Sequence, residues 1–358
     1  MIAYSQLDIY APNLLKNLNT YNPNVTMPMV KGNGYGLGML ELARFLDDKG
    51  FPYLGVSHPL EAQILIESGI KTPIFLLSFL PSQAKWIVDL GVTVVVDTPE
   101  KIQALANYAS KPHPIHLKVN LGMNRFGADP KEIPLLFHLL QSKQNLVFEG
   151  LLSHLPSPDL PSFDDKTCAQ IAQFNTLYHQ LPLKPKWVHV LSTHAIDRFP
   201  PTGNLVRIGM GMFFPHPVLK LTSTIIAIKS VAAHEGVGYR SIPIGTDRKI
   251  AIVGLGYYDG WLPEYRNSFV LIQGQPAPLI GEICMDFLFA DISHIPFAAP
   301  GDPVELFGPQ LPLEKLANLM KVNPRQILTS LSARIQRKWV YANVSETNRT
   351  HQESQIIR

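Results

Sequence analysis

Between residues 27 and 208 the chain alternates short apolar runs with longer stretches whose apolar positions recur every three or four residues. The runs at 27–31, 53–56, 74–77, 92–96, 115–119, 148–153, 187–190 and 205–208 are rich in valine, isoleucine, leucine and aromatic residues and predict strands. The stretches 39–49, 59–68, 81–90, 99–108, 131–143 and 168–180 carry helical spacing. Strands alternating with helices predict an α/β fold with a parallel sheet, and eight of them predict a (β/α)8 barrel over an open sheet. After about residue 218 the pattern changes to short strands bounded by turn residues, for example 222–228, 249–253, 269–272 and 277–280, with one helix near 312–320. This predicts a mostly antiparallel β domain. The expected division is a barrel over residues 1–220, a β-rich C-terminal domain over 221–342 and a flexible tail over 343–358, where the sequence is polar and without periodicity.

Composition narrows the class. The chain has 358 residues, 46% of them hydrophobic, enough for a large core. Only 16% are charged and the formal net charge is +3, with no run of lysine and arginine, so nothing points to nucleic acid. The two cysteines, Cys168 and Cys284, are far apart and form neither a zinc spacing nor a disulfide framework. No metal site is expected. Residues 1–20 hold no apolar signal core, and no apolar stretch approaches the ~18 residues a membrane span requires. The expectation is a cytoplasmic protein. No G-x-G-x-x-G opens the first helix, which counts against a dinucleotide fold.

Candidate chemistry starts at Lys31. It ends the run Met27-Pro28-Met29-Val30-Lys31 and precedes Gly32-Asn33-Gly34-Tyr35-Gly36. A lysine at the end of a buried strand, facing a glycine-rich turn, is placed to form a Schiff base, because burial lowers its pKa and frees the amine. Taken alone, such a lysine is ordinarily a solvated charge. In a barrel, function gathers at the C-terminal strand ends. Lys118, Arg125, His154, Thr193 and Arg207 also fall at or just past predicted ends.

The stretch from Val30 to Gly38 resembles V-K-A-N-A-Y-G-H-G, the signature of the alanine racemases, pyridoxal-phosphate enzymes of fold type III. Gly32 and Gly34 stand for the alanines and Leu37 for the histidine. Further motifs follow in family order over roughly residues 5–341. Val206-Arg207-Ile208-Gly209-Met210-Gly211 resembles V-R-P-G-I-A. The stretch from His189 to Ala195 resembles H-x-x-N-S-A-A, with Ser192 for asparagine and Thr193 for serine. Gly256-Tyr257-Tyr258-Asp259-Gly260-Trp261 resembles G-Y-A-D-G-[YW]. Lys118 to Gly127 resembles K-x-D-T-G-M-G-R-x-G, departing at Asn120, Leu121 and Asn124. Gly281 to Asp286 resembles G-R-I-C-M-D, with Glu282 for arginine. Leu331-Ser332-Ala333-Arg334-Ile335 resembles a terminal L-S-x-R-V strand, with Ala333 where some members carry tyrosine.

The resemblance implies roles. Lys31 carries pyridoxal 5'-phosphate, and Tyr35, Thr193, Gly209 and Met210 hold its phosphate. Arg207 donates to the pyridine nitrogen. An arginine cannot give up its proton, so the ring stays a weaker electron sink, which disfavours decarboxylation and transamination. Racemisation needs a base on each face of a planar intermediate. Lys31 serves one face and Tyr257 the other, with His154 beside the tyrosine and Arg207 beyond it as a positive chain favouring tyrosinate. Arg125 and Met285 meet the substrate carboxylate, Lys118 is a candidate for carbamylation, and Asp286 steadies the Met285 loop. The expected protein is a racemase interconverting L- and D-alanine, a homodimer in which Tyr257 reaches the partner's barrel. A racemase of serine or of broader range, or a cofactor-binding relative with little turnover, stays open. A decarboxylase would place an acid where Arg207 stands, and the short-barrel binding proteins lack the β domain.

Overall fold

The first regular element joins the end of the chain, not the barrel. In the computed structural model, which describes residues 4–241 and 243–341, strand β1 (Gln6–Tyr10) alternates buried Leu7 and Ile9 with partly exposed Gln6 and Asp8. The expected tail over 343–358 lies outside the described residues.

Eight parallel strands follow: β2 (Thr26–Pro28), β3 (Leu54–Val56), β4 (Ile74–Leu76), β5 (Thr93–Val96), β6 (His113–Lys118), β7 (Leu146–Leu152), β8 (Trp187–His189) and β9 (Val206–Ile208). They coincide with the eight predicted runs to within a few residues. Strands β3 to β8 pair in chain order, and β9 pairs with β2. Single bridges from Met29 to Gly55 and from Ser192 to Arg207 complete the ring, so the strands close into a barrel. The interior is filled by Met27, Met29, Tyr53, Phe75, Val95, Leu152 and Leu205. The helices begin where the sequence places proline, as at Pro59–Glu67 and Pro99–Tyr108. There proline occupies the first turn, and His58 and Thr98 accept the backbone N–H groups of Leu60 and Lys101.

The second set of strands comprises β10 (Leu219–Val231), β11 (Arg248–Val253), β12 (Phe269–Ile272), β13 (Gln275–Pro278), β14 (Leu288–Asp291), β15 (Pro303–Phe307) and β16 (Gln336–Val340), with helices Leu313–Met320 and Pro324–Ser330. All neighbours here are antiparallel except β1 with β16. The chain separates into one unit of Asn19–Met212 and another of Met1–Leu18 with Phe213–Arg358. Strand β1 lies between β10 and β16 and buries its apolar face in the β unit. The stretch 331–335, expected as a strand, forms a loop and turn, and the strand starts at Gln336. Among the described residues, no helix is long and apolar enough to cross a membrane.

Candidate active site

Strand β2 ends at Pro28, earlier than the expected run to Lys31; the Met29 and Val30 N–H groups still donate to the Ile208 and Gly55 carbonyls across the barrel, and the backbone leaves the extended region at Val30, with ψ 6°. Lys31 opens a left-handed turn in which Gly32, Asn33, Gly34 and Tyr35 all have φ between 53° and 63°. Two of the four are glycine, which enters this region without the penalty of a Cβ. Glu61 clamps the turn: its carboxylate accepts the Gly32 N–H at 2.8 Å and those of Ser57 and His58 at 2.9 and 3.1 Å.

A hydroxyl-and-amide cup lies past β9. Thr193 Oγ1 accepts the Gly209 and Gly211 N–H groups, each at 3.2 Å. A Cβ on Gly209 would stand 2.2 Å from the Tyr35 hydroxyl oxygen, so that hydroxyl rests directly on the Gly209 backbone. The structure therefore brings Tyr35, Thr193 and Gly209 together, with Met210 next in the chain. The Gly211 amide was not anticipated. Met210 opens a single 3-10 turn, Met210–Met212.

Arg207 is buried on β9. Its Nη1 donates to His189 Nδ1 at 2.6 Å and to the His189 carbonyl at 3.0 Å. Its Nη2 donates to the Ser153 carbonyl at 2.6 Å and reaches the Val190 carbonyl and His154 Nδ1, both at 3.3 Å. Nε makes no hydrogen bond among the described residues. Burial pushes the guanidinium down to about 10, still charged at neutral pH. His154 is held down to about 3 by burial and by the charges of Arg207, Arg125, Lys118 and Lys31. It is neutral, so the positive charge expected along this chain rests on Arg207. With Nδ1 accepting from arginine, the His154 proton lies on Nε2.

Lys118 ends β6, buried, its amine over the Phe126 ring at 5.4 Å. Burial and the Arg207 and Arg125 charges push it down to about 8. Arg125 sits on a loop closed by the Asn120 N–H to Ala128 carbonyl bond and by Asp97, whose carboxylate accepts the Gly127 N–H at 2.9 Å. Two of the three departures from the family pattern, Asn120 and Asn124, bond each other. Asn124 takes φ 52°, and the Asn120 amide bonds its side chain at 2.9 Å. An open cavity of about 450 Å³ borders Arg125, Asn124, Lys101 and Phe126.

In the β unit, Tyr257 begins a 3-10 turn, Tyr257–Asp259, and its ring is partly exposed. The Tyr257 and Tyr258 N–H groups donate to the Cys284 and Met285 carbonyls at 2.9 and 3.0 Å, fastening this turn to the loop that carries Met285 and Asp286. The Met285 N–H makes no hydrogen bond among the described residues. Arg334 joins both loops: it donates to the two carboxylate oxygens of buried Asp259, each at 2.7 Å, and to Asp286 at 2.6 Å. Glu282 pairs with Arg240 at 3.3 Å.

Residues 6–217 match the family described as "Alanine racemase, N-terminal domain", and residues 218–339 match "Alanine racemase, C-terminal domain". The chain belongs to the alanine racemase family. An alanine racemase of Desulfovibrio desulfuricans is 32% identical over 342 residues, spanning 87% of this chain and 90% of that protein. The crystal structure of alanine racemase from E. faecalis superposes with a TM-score of 0.87 at 26% identity, over 94% of this chain and 98% of that one. Alanine racemase from Bartonella henselae, described with covalently bound pyridoxal phosphate, superposes with a TM-score of 0.85 at 27% identity, over 95% and 100% of the two chains.

Arg334, Asp259 and His189 stand inside the family motifs with no role assigned to them by the sequence, and Glu61 stands outside those motifs. Arg334 could have been suspected from its pairing with two acids that themselves sit in motifs. Glu61 carries only the local signal of a carboxylate in a helix first turn.

Proposed function

We propose that the protein is a pyridoxal-phosphate-dependent alanine racemase working by two bases, Lys31 and Tyr257. One observation supports this above the others. A buried, charged arginine at a barrel strand end has its Nη groups committed to protein and keeps Nε unpaired, beside a cup built from Tyr35, Thr193 and Gly209. The residues fit the cofactor on that ground. Arg207 Nε has an N–H for a ring nitrogen, and the cup has hydroxyl and amide donors for a phosphate.

Bound pyridoxal phosphate supplies an electron sink conjugated to the substrate amine, which acidifies the Cα proton. The chain's own residues do the rest. Lys31 Nζ takes or returns that proton on one face. Tyr257 Oη, supplied by a second copy in a homodimer, serves the other. His154, neutral with its proton on Nε2, offers a hydrogen bond that favours the tyrosine's anionic form, backed by the Arg207 charge. Because Arg207 donates without releasing a proton, the ring nitrogen gains none, which restrains side reactions. Arg125 and the Met285 N–H hold the substrate carboxylate, with Asp286 and Arg334 fixing the Met285 loop. The proposed setting is cytoplasmic, where both free thiols, Cys168 and Cys284, stay reduced.

The test is turnover of L-alanine by purified protein with added pyridoxal phosphate, with L-serine and L-lysine in parallel. D-alanine formation that Lys31→Ala and Tyr257→Phe each abolish is expected. A preference for serine or lysine would move the substrate assignment, and retention of activity in either variant would remove the two-base scheme.

A further inference from the structure

Behind Arg207 the barrel interior holds a line of polar side chains that the proposed reaction does not use. His189 and His116 are fully buried, stacked edge to face with centroids 5.1 Å apart. His189 Nε2 and His116 Nδ1 are 2.8 Å apart. His116 Nε2 lies 3.8 Å from Glu149 Oε2, and the Tyr53 hydroxyl donates to that same oxygen at 2.6 Å.

The proton positions along this line follow from chemistry. Arginine has only donors, so His189 Nδ1, 2.6 Å from Arg207 Nη1, must accept. A neutral imidazole accepting at Nδ1 carries its proton on Nε2, which therefore donates to His116 Nδ1. The proton of His116 is then also on Nε2, aimed toward Glu149. That nitrogen has no hydrogen-bond partner among the described residues, and 3.8 Å is beyond hydrogen-bond range, so the carboxylate acts there through its charge. Burial lowers both rings and keeps them neutral, with the Arg207 charge a lesser cause; at His116 the Glu149 carboxylate pulls the other way without overcoming burial.

Two backbone features serve this line. The β6–β7 register shifts so that Ile115 faces Phe148 while His116 faces Gly150, leaving Glu149 as the extra residue of a bulge. Bulges re-aim side chains, here a carboxylate toward the barrel interior. Gly150 makes the room, since a Cβ there would lie 2.1 Å from His116 Nδ1.

We infer that Glu149 is a positioning residue for Arg207. Arg207 sets the Nε2–H tautomers from one end of the line, and the Glu149 charge facing the His116 Nε2 proton favours the same arrangement from the other; Glu149 also sets a carboxylate behind a buried guanidinium that makes no ion pair among the described residues. If His189 carried its proton on Nδ1 instead, it would oppose an arginine N–H donor to donor. The guanidinium would then turn, and Nε would leave the direction the cofactor ring requires. This inference rests on the proposed role of Arg207, but its first readout does not.

In cofactor-free protein with 15N-labelled histidine, long-range 1H–15N spectra report each ring's tautomer. His116 and His189 are expected as Nε2–H between pH 6 and 9. Glu149→Leu is expected to bring in the Nδ1–H form of His116. Glu149→Gln, isosteric but uncharged, is expected to weaken pyridoxal-phosphate binding about tenfold, the scale seen when the partner behind a ligand is removed, and Glu149→Asp to restore most of it. Nδ1–H rings in the unsubstituted protein would overturn the inference. So would tautomers and cofactor affinity unchanged in Glu149→Leu and Glu149→Gln alike. Should Glu149→Leu fail to fold, the contrast between Glu149→Gln and Glu149→Asp decides. Unsubstituted protein that binds no cofactor would defeat the reading of Arg207 instead, and the apo-protein tautomers would still judge Glu149.

Discussion

Arg334 grips both carboxylate oxygens of Asp259 at 2.7 Å and spends its remaining Nη1 on Asp286, so one side chain ties the Tyr257 turn to the Met285 loop. The planar fork is what makes this possible, and lysine cannot reproduce it. Arg334→Lys is expected to keep the fold and lower kcat/KM for L-alanine by about tenfold, the equivalent of one lost charge-assisted bond. Steady-state kinetics checks this. Unchanged kinetics would mean that the two loops hold position without Arg334.

The Tyr35 hydroxyl occupies the space a side chain at residue 209 would need. Gly209→Ala is therefore expected to displace Tyr35 and weaken pyridoxal-phosphate affinity more than tenfold, with little effect on secondary structure. Titration by cofactor absorbance, with circular dichroism as control, measures both.

Gly34 sits at φ +63° with Met39 backbone atoms and Leu42 Cδ2 only 3.2–3.3 Å from where a Cβ would stand. Gly34→Ala is expected to destabilise by about 1–2 kcal/mol, from the left-handed backbone and the tight contact together. Urea denaturation of the apo-protein would show it. A neutral or stabilising result would mean that the turn relaxes.

His154 is held near 3 in the folded protein, and His116 and His189 are also lowered. Above the ordinary histidine range both folded and unfolded chains keep these rings neutral, and stability is at its full value. As pH falls below about 6.5 the unfolded chain binds protons that the folded one does not. Stability should then fall by up to ~1.4 kcal/mol per pH unit for each such ring. Urea midpoints of apo-protein between pH 7 and 5 should decline, less steeply in His154→Gln. A flat profile would contradict neutral burial.

Lys118, pushed down to about 8 beside Arg125 and Arg207, holds more free amine at neutral pH than an ordinary lysine. Its nitrogen is expected to add to CO2: the N–C bond forms, a proton passes to water, and the carbamate anion faces Arg125. A carbamate signal in 13C NMR with labelled bicarbonate, absent in Lys118→Ala, is the expected result. A bare amine would contradict it.

The barrel was legible because each of its strands is a short apolar run that needs only its own residues to be seen. Strand β1 was not, because what makes Gln6–Tyr10 part of the β unit is pairing with Thr222 and Gln336, hundreds of residues away. The proposed reactive groups Lys31, Arg207 and Tyr257 stand in motifs. The roles of the groups around them were hidden even where the residues stand in motifs, because that work depends on three-dimensional approach. Glu149 reads as an ordinary strand acid until the bulge turns it toward His116, and Asn124 reads as a lost glycine until Asn120 is seen to bond it.

The most direct test of the two-base scheme is L-alanine in heavy water with protein and pyridoxal phosphate, following D-alanine and deuterium at Cα together. The expected result is D-alanine that carries deuterium at Cα, lost in Lys31→Ala and Tyr257→Phe. Bound-cofactor absorbance with neither D-alanine nor Cα exchange would contradict it, leaving a member of the family that holds the cofactor and does not turn over.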